Sequence, residues 1–300
     1  MLKENNRRLT SVFFIGSQKC GTSTLFEWLK QDKRLLFPTN KETHYFSTNF
    51  DFGLKWYDRQ FKLNEAFRLR CEIDPSYIFY PESIERIYRY NNQSKLIILL
   101  RHPIQRAYSQ YLMSKFRTYE TSAFNDSIIN NLNFINKNDD SHIFLNLNYL
   151  KRSQYSSQIN VINNFFDKKE CLYIKFEDFF TNKNSLNIIY DFLDMDFDNS
   201  INLNIRANYA KEYKNIIFQK LLYRNSYLKT SIRKFISREK LYSIKKYLSF
   251  LNQKNINENK KIINYNKIVK NLPQKIVNWN NKEVEKLEKI IDLNISNWYL

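Results

Sequence analysis

Three groups of residues in this chain have the types and spacing to hold a phosphate-like anion and move a proton. The first is Gly16-Ser-Gln-Lys-Cys-Gly-Thr-Ser-Thr24, which follows the apolar run Val12–Ile15 and leads into Leu25-Phe-Glu-Trp-Leu29. A strand, a tight loop and a helix start aim free backbone N–H groups and the positive end of a helix dipole at one point, which makes an anion site. The chain has 3 Gly in 300 residues, and Gly16 and Gly21 bound this loop. Positive φ or close approach of backbone to ligand would require them there. Lys19, inside the loop, can meet negative charge developing on a leaving oxygen. The second group is Arg101-His-Pro, at the end of the run Lys95–Leu100, with Ser109 eight residues on. A guanidinium there can hold a phosphate as a bidentate fork, and the serine can add a hydroxyl. The third is Glu42 with His44. Either can take the proton from an attacking hydroxyl, and in an extended segment residues two apart would face one cleft.

Gly16 and Gly21 have the spacing of a nucleoside triphosphatase loop, but that motif continues with Lys and Ser or Thr, and here Thr22-Ser23 follow. A triphosphatase also needs a magnesium-holding carboxylate at the end of a second strand. The matching position is Arg101, a cation suited to a phosphate bound without metal. No metal is therefore expected. Cys20, Cys71 and Cys171 have no metal-ligand spacing and read as free thiols of a reducing compartment. Arg106 falls on a different helical face from Arg101 and reads as structural or solvated. His102 reads as a backbone-bonding residue, and His142, in a polar loop, has no site role.

With these residues in view the chain resembles the sulfotransferases that use 3′-phosphoadenosine 5′-phosphosulfate (PAPS). Gln18–Thr24 resembles their 5′-phosphosulfate loop, and Arg101 through Ser109 their 3′-phosphate motif. Asn40-Lys-Glu-Thr-His-Tyr-Phe46 is similar to the Glu-x-His-aromatic stretch carrying the catalytic base in the heparan-sulfate and bacterial carbohydrate branches. Cys71–Tyr77, Tyr173–Asp178 and Asp292–Trp298 match further, in the family's order. The resemblance implies a P-loop-like three-layer α/β fold, with a central parallel sheet flanked by helices. It implies PAPS as cosubstrate, held by Lys19, Cys20, Gly21, Thr22, Ser23, Thr24, Arg101 and Ser109. Glu42 is then the base, with His44 and Lys19 at the reacting centre, and Asp74 and Tyr77 are substrate contacts. The implied reaction moves a sulfuryl group to a hydroxyl of a carbohydrate or glycan. One departure counts against a heparan-like acceptor: the lysine that follows the matching glutamate in the heparan branch is Ile73 here, after Glu72. No clear counterpart of the family's C-terminal basic loop is found, with Lys260, Lys261 and Lys270 as candidates. A protein tyrosine or small alcohol as acceptor, or a non-catalytic basic protein binding anionic polymers, are the alternatives.

The elements that must position these residues are legible. Strands are expected near 12–16, 68–73, 95–100 and 171–176, and helices near 22–31, 82–91, 104–117, 147–166, 184–193 and 282–291. This alternation predicts a parallel sheet covered on both faces. One domain is expected over 1–300, with a core of about 11–200 and 280–300 and a basic helical insertion at about 207–270. Within the net charge of +18, residues 211–270 hold 16 Lys or Arg against 3 Asp or Glu. Tyr213, Ile217, Leu221, Tyr227, Leu228, Ile232, Phe235 and Ile236 lie there at helical spacing. Such basic amphipathic helices fit an anionic polysaccharide, an anionic membrane surface, or a lysine-rich solvated face. No recognised nucleic-acid module accompanies them. The sequence shows no apolar run long enough to span a membrane and no signal-peptide core. The expectation is a cytoplasmic, bacterial-type protein, peripheral at the inner membrane face if the basic segment meets lipid.

Overall fold

The computed structural model describes residues 9–62, 67–134, 146–181, 185–207, 211–223, 238–255 and 265–300. His142, Tyr227, Leu228, Ile232, Phe235, Ile236, Lys260 and Lys261 lie outside the described residues. Along the chain run β1 (Val12–Gly16), α1 (Thr22–Leu29), β2 (Leu35–Leu36), α2 (Gly53–Asp58), β3 (Leu69–Ile73), α3 (Pro81–Tyr90) and β4 (Lys95–Leu100). Next come α4 (Pro103–Phe116), α5 (Phe124–Phe134), α6 (Tyr155–Asn163), β5 (Cys171–Lys175), α7 (Phe176–Phe179) and α8 (Asn187–Phe192). Then follow β6 (Lys211–Tyr213), α9 (Ile216–Tyr223), α10 (Arg238–Leu251), β7 (Gln253–Asn255) and α11 (Gln274–Glu288).

The chain forms two compact units, one of Met1–His102, Gln154–Asn208 and Asn280–Leu300, the other of Pro103–Ser153 and Tyr209–Trp279. The first is built on a five-stranded sheet in the order β2-β3-β1-β4-β5. Its pairings are all parallel, with Val12 opposite Cys71 and Lys95, and Leu96 opposite Cys171. The strands read as continuous apolar runs because both faces are covered. Phe13 and Ile15 join Leu96, Ile98 and Leu100 on one face, against Ile84, Ile87, Ile159, Ile162, Val284 and Leu287. Val12, Phe14, Ile73, Ile97 and Leu99 line the other, against Leu25, Trp28, Leu29, Ile189 and Tyr190. The α/β fold expected from the sequence is the one observed. From β1 the chain winds outward through β3 on one side and through β4 and β5 on the other. The carboxyl ends of β1, β3 and β4 therefore open onto a topological switch point, where ligands of such sheets bind.

The second unit holds the two-stranded antiparallel ribbon of β6 and β7 and a core of Ile104, Ala107, Tyr108, Tyr111, Phe124, Ile128, Tyr149, Leu150 and Ile276. The segment expected as an insertion at about 207–270 thus shares its unit with 103–153. The single helix expected over 147–166 is interrupted, with a 3₁₀ turn at Lys151–Ser153 before α6 starts at Tyr155. The cause is Arg106, fully buried, whose Nε donates to Ser153 Oγ at 2.6 Å and whose Nη2 donates to the Tyr149 carbonyl at 2.6 Å. A continuous helix would occupy that carbonyl with its own ladder. The last helix starts at Gln274, ahead of the expected 282. Among the described residues no helix is long and apolar enough to cross a membrane.

Candidate functional site

The loop after β1 is shaped by its backbone. Lys19 and Gly21 both have left-handed φ, 76° and 83°. A Cβ at Gly21 would lie 2.3 Å from Phe180 Cε2 and 3.1 Å from Phe176 Cε2, so glycine is needed there for both conformation and space. No side chain caps α1 and its first turn carries no acidic residue, leaving the helix start for an anion. Ser17 Oγ, buried in the same loop, has no hydrogen-bond partner, a further donor suited to a phosphate. Two expected donors turn elsewhere. The Cys20 amide donates to the Ser17 carbonyl at 3.1 Å and its thiol is buried against the Tyr155 hydroxyl. Thr24 Oγ1 donates to the Ala207 carbonyl and accepts from the Ala207 amide at 3.1 Å, because its side chain points to the 205–207 segment rather than into the loop. Gly21, Thr22 and Ser23 remain at the mouth.

Arg101 stands at the end of β4. Its Nη1 donates to the Lys19 carbonyl at 3.4 Å and its guanidinium lies 4.4 Å over the Phe176 ring. Stacking on one face leaves the N–H groups of a guanidinium in the ring plane, the geometry by which arginine meets anions. His102 is buried. Its amide donates to Glu177 Oε1 at 3.0 Å, and burial, then the Arg101 charge, push its imidazole down to about 4. Ser109 lies half-buried in α4, in the second unit.

Glu42 and His44 come together, though not as an extended segment: His44 has φ 52°. The turn is held by Asp74, whose Oδ2 accepts the His44 amide at 2.9 Å, and by Ser47 and Asn49 amides donating to the His44 carbonyl. The imidazole Nδ1 lies 2.8 Å from Asp74 Oδ2 and Nε2 lies 3.9 Å from Glu42 Oε2. Burial would lower the His44 value, but the hydrogen bond and charge of Asp74, with Glu42 and Glu72 behind, raise it to about 9. The ring is 42% exposed, so solvent screens part of that attraction, yet the direction keeps an imidazolium at neutral pH. Burial alone would raise the Asp74 carboxyl, while His44 and Ser76 bring it below the ordinary carboxylate range. Glu42, His44 and Asp74 present ligand atoms within 4.8 Å of one another, a set that could take a cation. Protonation of His44 works against that use.

Asp74 and Tyr77, expected to contact substrate, are fully buried. Asp74 is spent on His44 and Ser76, and the Tyr77 hydroxyl donates to Glu72 at 3.0 Å. Their reach to an acceptor is therefore indirect. Glu72, which the sequence marks only as the glutamate of a matching stretch and gives no role, is the buried hub beneath the site. It accepts from Thr43 Oγ1, Tyr57 OH and Tyr77 OH. Burial and then the Asp74 charge raise its carboxyl to about 7, against the lowering effect of those hydroxyls. A raised carboxyl destabilises the fold once ionised, so Glu72 should cost stability progressively from its unfolded value near 4.5 up to about 7. Fully ionised, the cost is on the order of 3 kcal/mol. Melting curves from pH 4.5 to 8 should therefore show a decline that Glu72→Gln flattens; an unchanged slope would place the titration elsewhere.

Lys41 was also missed, since a lysine beside a glutamate in sequence has no signal of its own. Its Nζ donates to Glu42 Oε1 at 2.7 Å and reaches Ser23 Oγ at 3.3 Å and Thr22 Oγ1 at 3.4 Å. One ammonium thus ties the carboxylate to the mouth of the anion loop. Phe176, quoted only as part of a matching stretch, and Phe180, just beyond that stretch, back the same loop. The assembly has the form of an anion cradle, a loop and helix start between the cations Arg101 and Lys41, with the Glu42 carboxylate at its rim.

Comparison with known proteins agrees with this geometry. The model of the sulfotransferase domain family matches residues 9–261. The chain is 32% identical over 107 residues to human heparan sulfate glucosamine 3-O-sulfotransferase 5, covering 35% of this chain and 31% of that protein. It is 32% identical over 109 residues to the membrane-associated sulfotransferase kil1 of Dictyostelium discoideum, covering 35% and 23%. These matches span about a quarter to a third of the relatives' length. A sulfotransferase of Alicyclobacillus acidocaldarius shares the fold at a TM-score of 0.57 and 24% identity, over 71% of this chain and 89% of that one. With the family model spanning most of its length, the chain belongs to the sulfotransferase domain family.

Proposed function

We propose that this protein transfers the sulfuryl group of PAPS to a hydroxyl of a carbohydrate or glycan. The observation that carries the reading is Lys41, which joins Glu42 to the hydroxyls of Thr22 and Ser23 and so sets a proton acceptor beside a phosphosulfate cradle. In this reading Gly21, Thr22 and Ser23 hold the 5′-phosphate, and Arg101 holds the 3′-phosphate. Glu42 accepts the proton of the acceptor hydroxyl as its oxygen bonds to sulfur. The bond from sulfur to the bridging oxygen breaks, and its electron pair stays on the 5′-phosphate as adenosine 3′,5′-bisphosphate leaves. Lys19 and Lys41 meet the negative charge that grows there. His44, protonated and anchored by Asp74, orients rather than accepts. Glycan acceptors are supported by the heparan sulfate sulfotransferases among the relatives, while Ile73 speaks for an acceptor other than heparan sulfate itself. Three free, buried cysteines are in keeping with a reducing, cytoplasmic setting.

The nucleotide test is calorimetry. Adenosine 3′,5′-bisphosphate should bind roughly ten- to hundred-fold more tightly than adenosine 5′-monophosphate, the worth of a charge-assisted pair of about 1.5–3 kcal/mol. Arg101→Ala should erase most of the difference, and EDTA should leave binding intact. Equal affinities would remove the 3′-phosphate site, and loss of binding in EDTA would return the loop to triphosphatase chemistry.

A further inference from the structure

Two helices of the second unit are inverted relative to what water favours. In α9, Ile217 and Leu221 stand one turn apart and are 77% and 61% exposed, while Gln219 is wholly buried. In α10, Ile244, Tyr247 and Leu251 follow helical spacing toward solvent with Phe250 beside them, Tyr247 and Phe250 being 63% and 64% exposed, while Ser249 is buried. The inward polar groups are satisfied. Gln219 Nε2 donates to the Phe116 carbonyl at 2.9 Å, and Asn252 Nδ2 donates to Gln219 Oε1 and to the Asn215 carbonyl. Ser249 Oγ pairs with the Tyr223 hydroxyl at 3.1 Å. The polar interior is thus fixed by its own hydrogen bonds, and the apolar exterior has no counterpart in an ordinary solvated helix.

The surrounding charge says what this face meets. Residues 211–223 and 238–255 hold eight Lys or Arg against two Glu. Lys214 and Lys254 line a shallow groove with Phe250, Leu251 and Gln253, and Lys220 is exposed beside Leu221. A two-fold pairing of this face with a second copy would set these lysines against their own kind. A polyanionic chain would use the lysines but gain little from exposed Ile, Leu and Phe. A surface that rewards both is the interface of an anionic bilayer, where aliphatic and aromatic side chains enter the headgroup boundary and lysines reach lipid phosphates. We propose that the outward face of α9 and α10, edged by Lys214, Lys220 and Lys254, docks on an anionic lipid bilayer. This assignment is independent of the sulfuryl-transfer reading.

Flotation of the full-length protein with vesicles tests it. Binding should be strong to phosphatidylcholine vesicles containing phosphatidylglycerol, weak to phosphatidylcholine alone, and reduced by salt. The triple variant Ile217→Ser, Leu221→Ser, Phe250→Ser should bind about tenfold or more weakly, with an unchanged melting temperature because the replaced side chains face solvent. Lys214→Gln with Lys254→Gln should remove the preference for the anionic lipid. Equal binding to both vesicle types, or a triple variant that binds like the parent, would overturn the proposal. A dimer dissolved by the triple substitution, without vesicle binding by the parent, would assign the face to a second copy. Retention on heparin with no vesicle binding would assign it to an anionic polymer.

Discussion

Glu42→Gln should lower turnover by about 10²–10⁴, the usual worth of a general base, while the melting temperature stays close to that of the parent. The amide keeps the size of the side chain and can still accept from Lys41, but it cannot take the acceptor's proton. Glu42 also sits at a half-open rim with its carboxylate bonded to one lysine, so the fold loses little. The competing base is His44, and pH separates the two. With the imidazole raised to about 9, a neutral His44 would be scarce at pH 7, and a His44 mechanism would gain rate steadily toward pH 9. A mechanism in which Glu42 takes the proton should show no such rise tied to the imidazole. His44→Ala should weaken the reaction through lost positioning rather than abolish it. If instead Glu42→Gln keeps full rate while His44→Ala is inactive, the base is His44.

Lys19→Ala should lower turnover by about 10²–10³ while affinity for adenosine 3′,5′-bisphosphate falls far less. Charge on the bridging oxygen grows only as the S–O bond breaks, so an ammonium aimed there acts on the transition state more than on the bound product. The left-handed backbone of Lys19 and the bond from Arg101 to its carbonyl hold the residue in the loop, and alanine meets the same strain at that φ as lysine does. A Lys19→Asn control, better tolerated in the left-handed region, separates lost charge from lost loop shape: it should be as slow as the alanine variant. Recovery of most of the rate by asparagine would make the loop conformation, not the ammonium, the cause.

The physics that made the candidate site readable is local. Gly16 to Thr24, Glu42 to His44, and Arg101 at a strand end are continuous segments whose residue types and spacing already state an anion loop, a proton acceptor and a fixed cation. The apolar runs of β1, β4 and β5 are equally local, which is why the parallel sheet was legible before the structure. What lay beyond the sequence depends on partners far along the chain. Thr24 matched a phosphate motif by position, but Ala207, 183 residues away, claims its hydroxyl. Asp74 and Tyr77 had the polarity of substrate contacts, and only packing shows that β3 and the turn after it bury them under His44 and around Glu72. Glu72 matches a family glutamate in sequence but gains a role only where Thr43, Tyr57 and Tyr77 converge on it from three segments. Lys41 gains its role from the approach of its loop to the start of α1. The expected helix over 147–166 broke for the same reason, since Arg106 needed carbonyl and hydroxyl acceptors that no helix periodicity announces. Spacing along the chain thus determined which groups are available, and only the tertiary structure, by burying some and pairing others, decided which of them stay at the mouth of the loop.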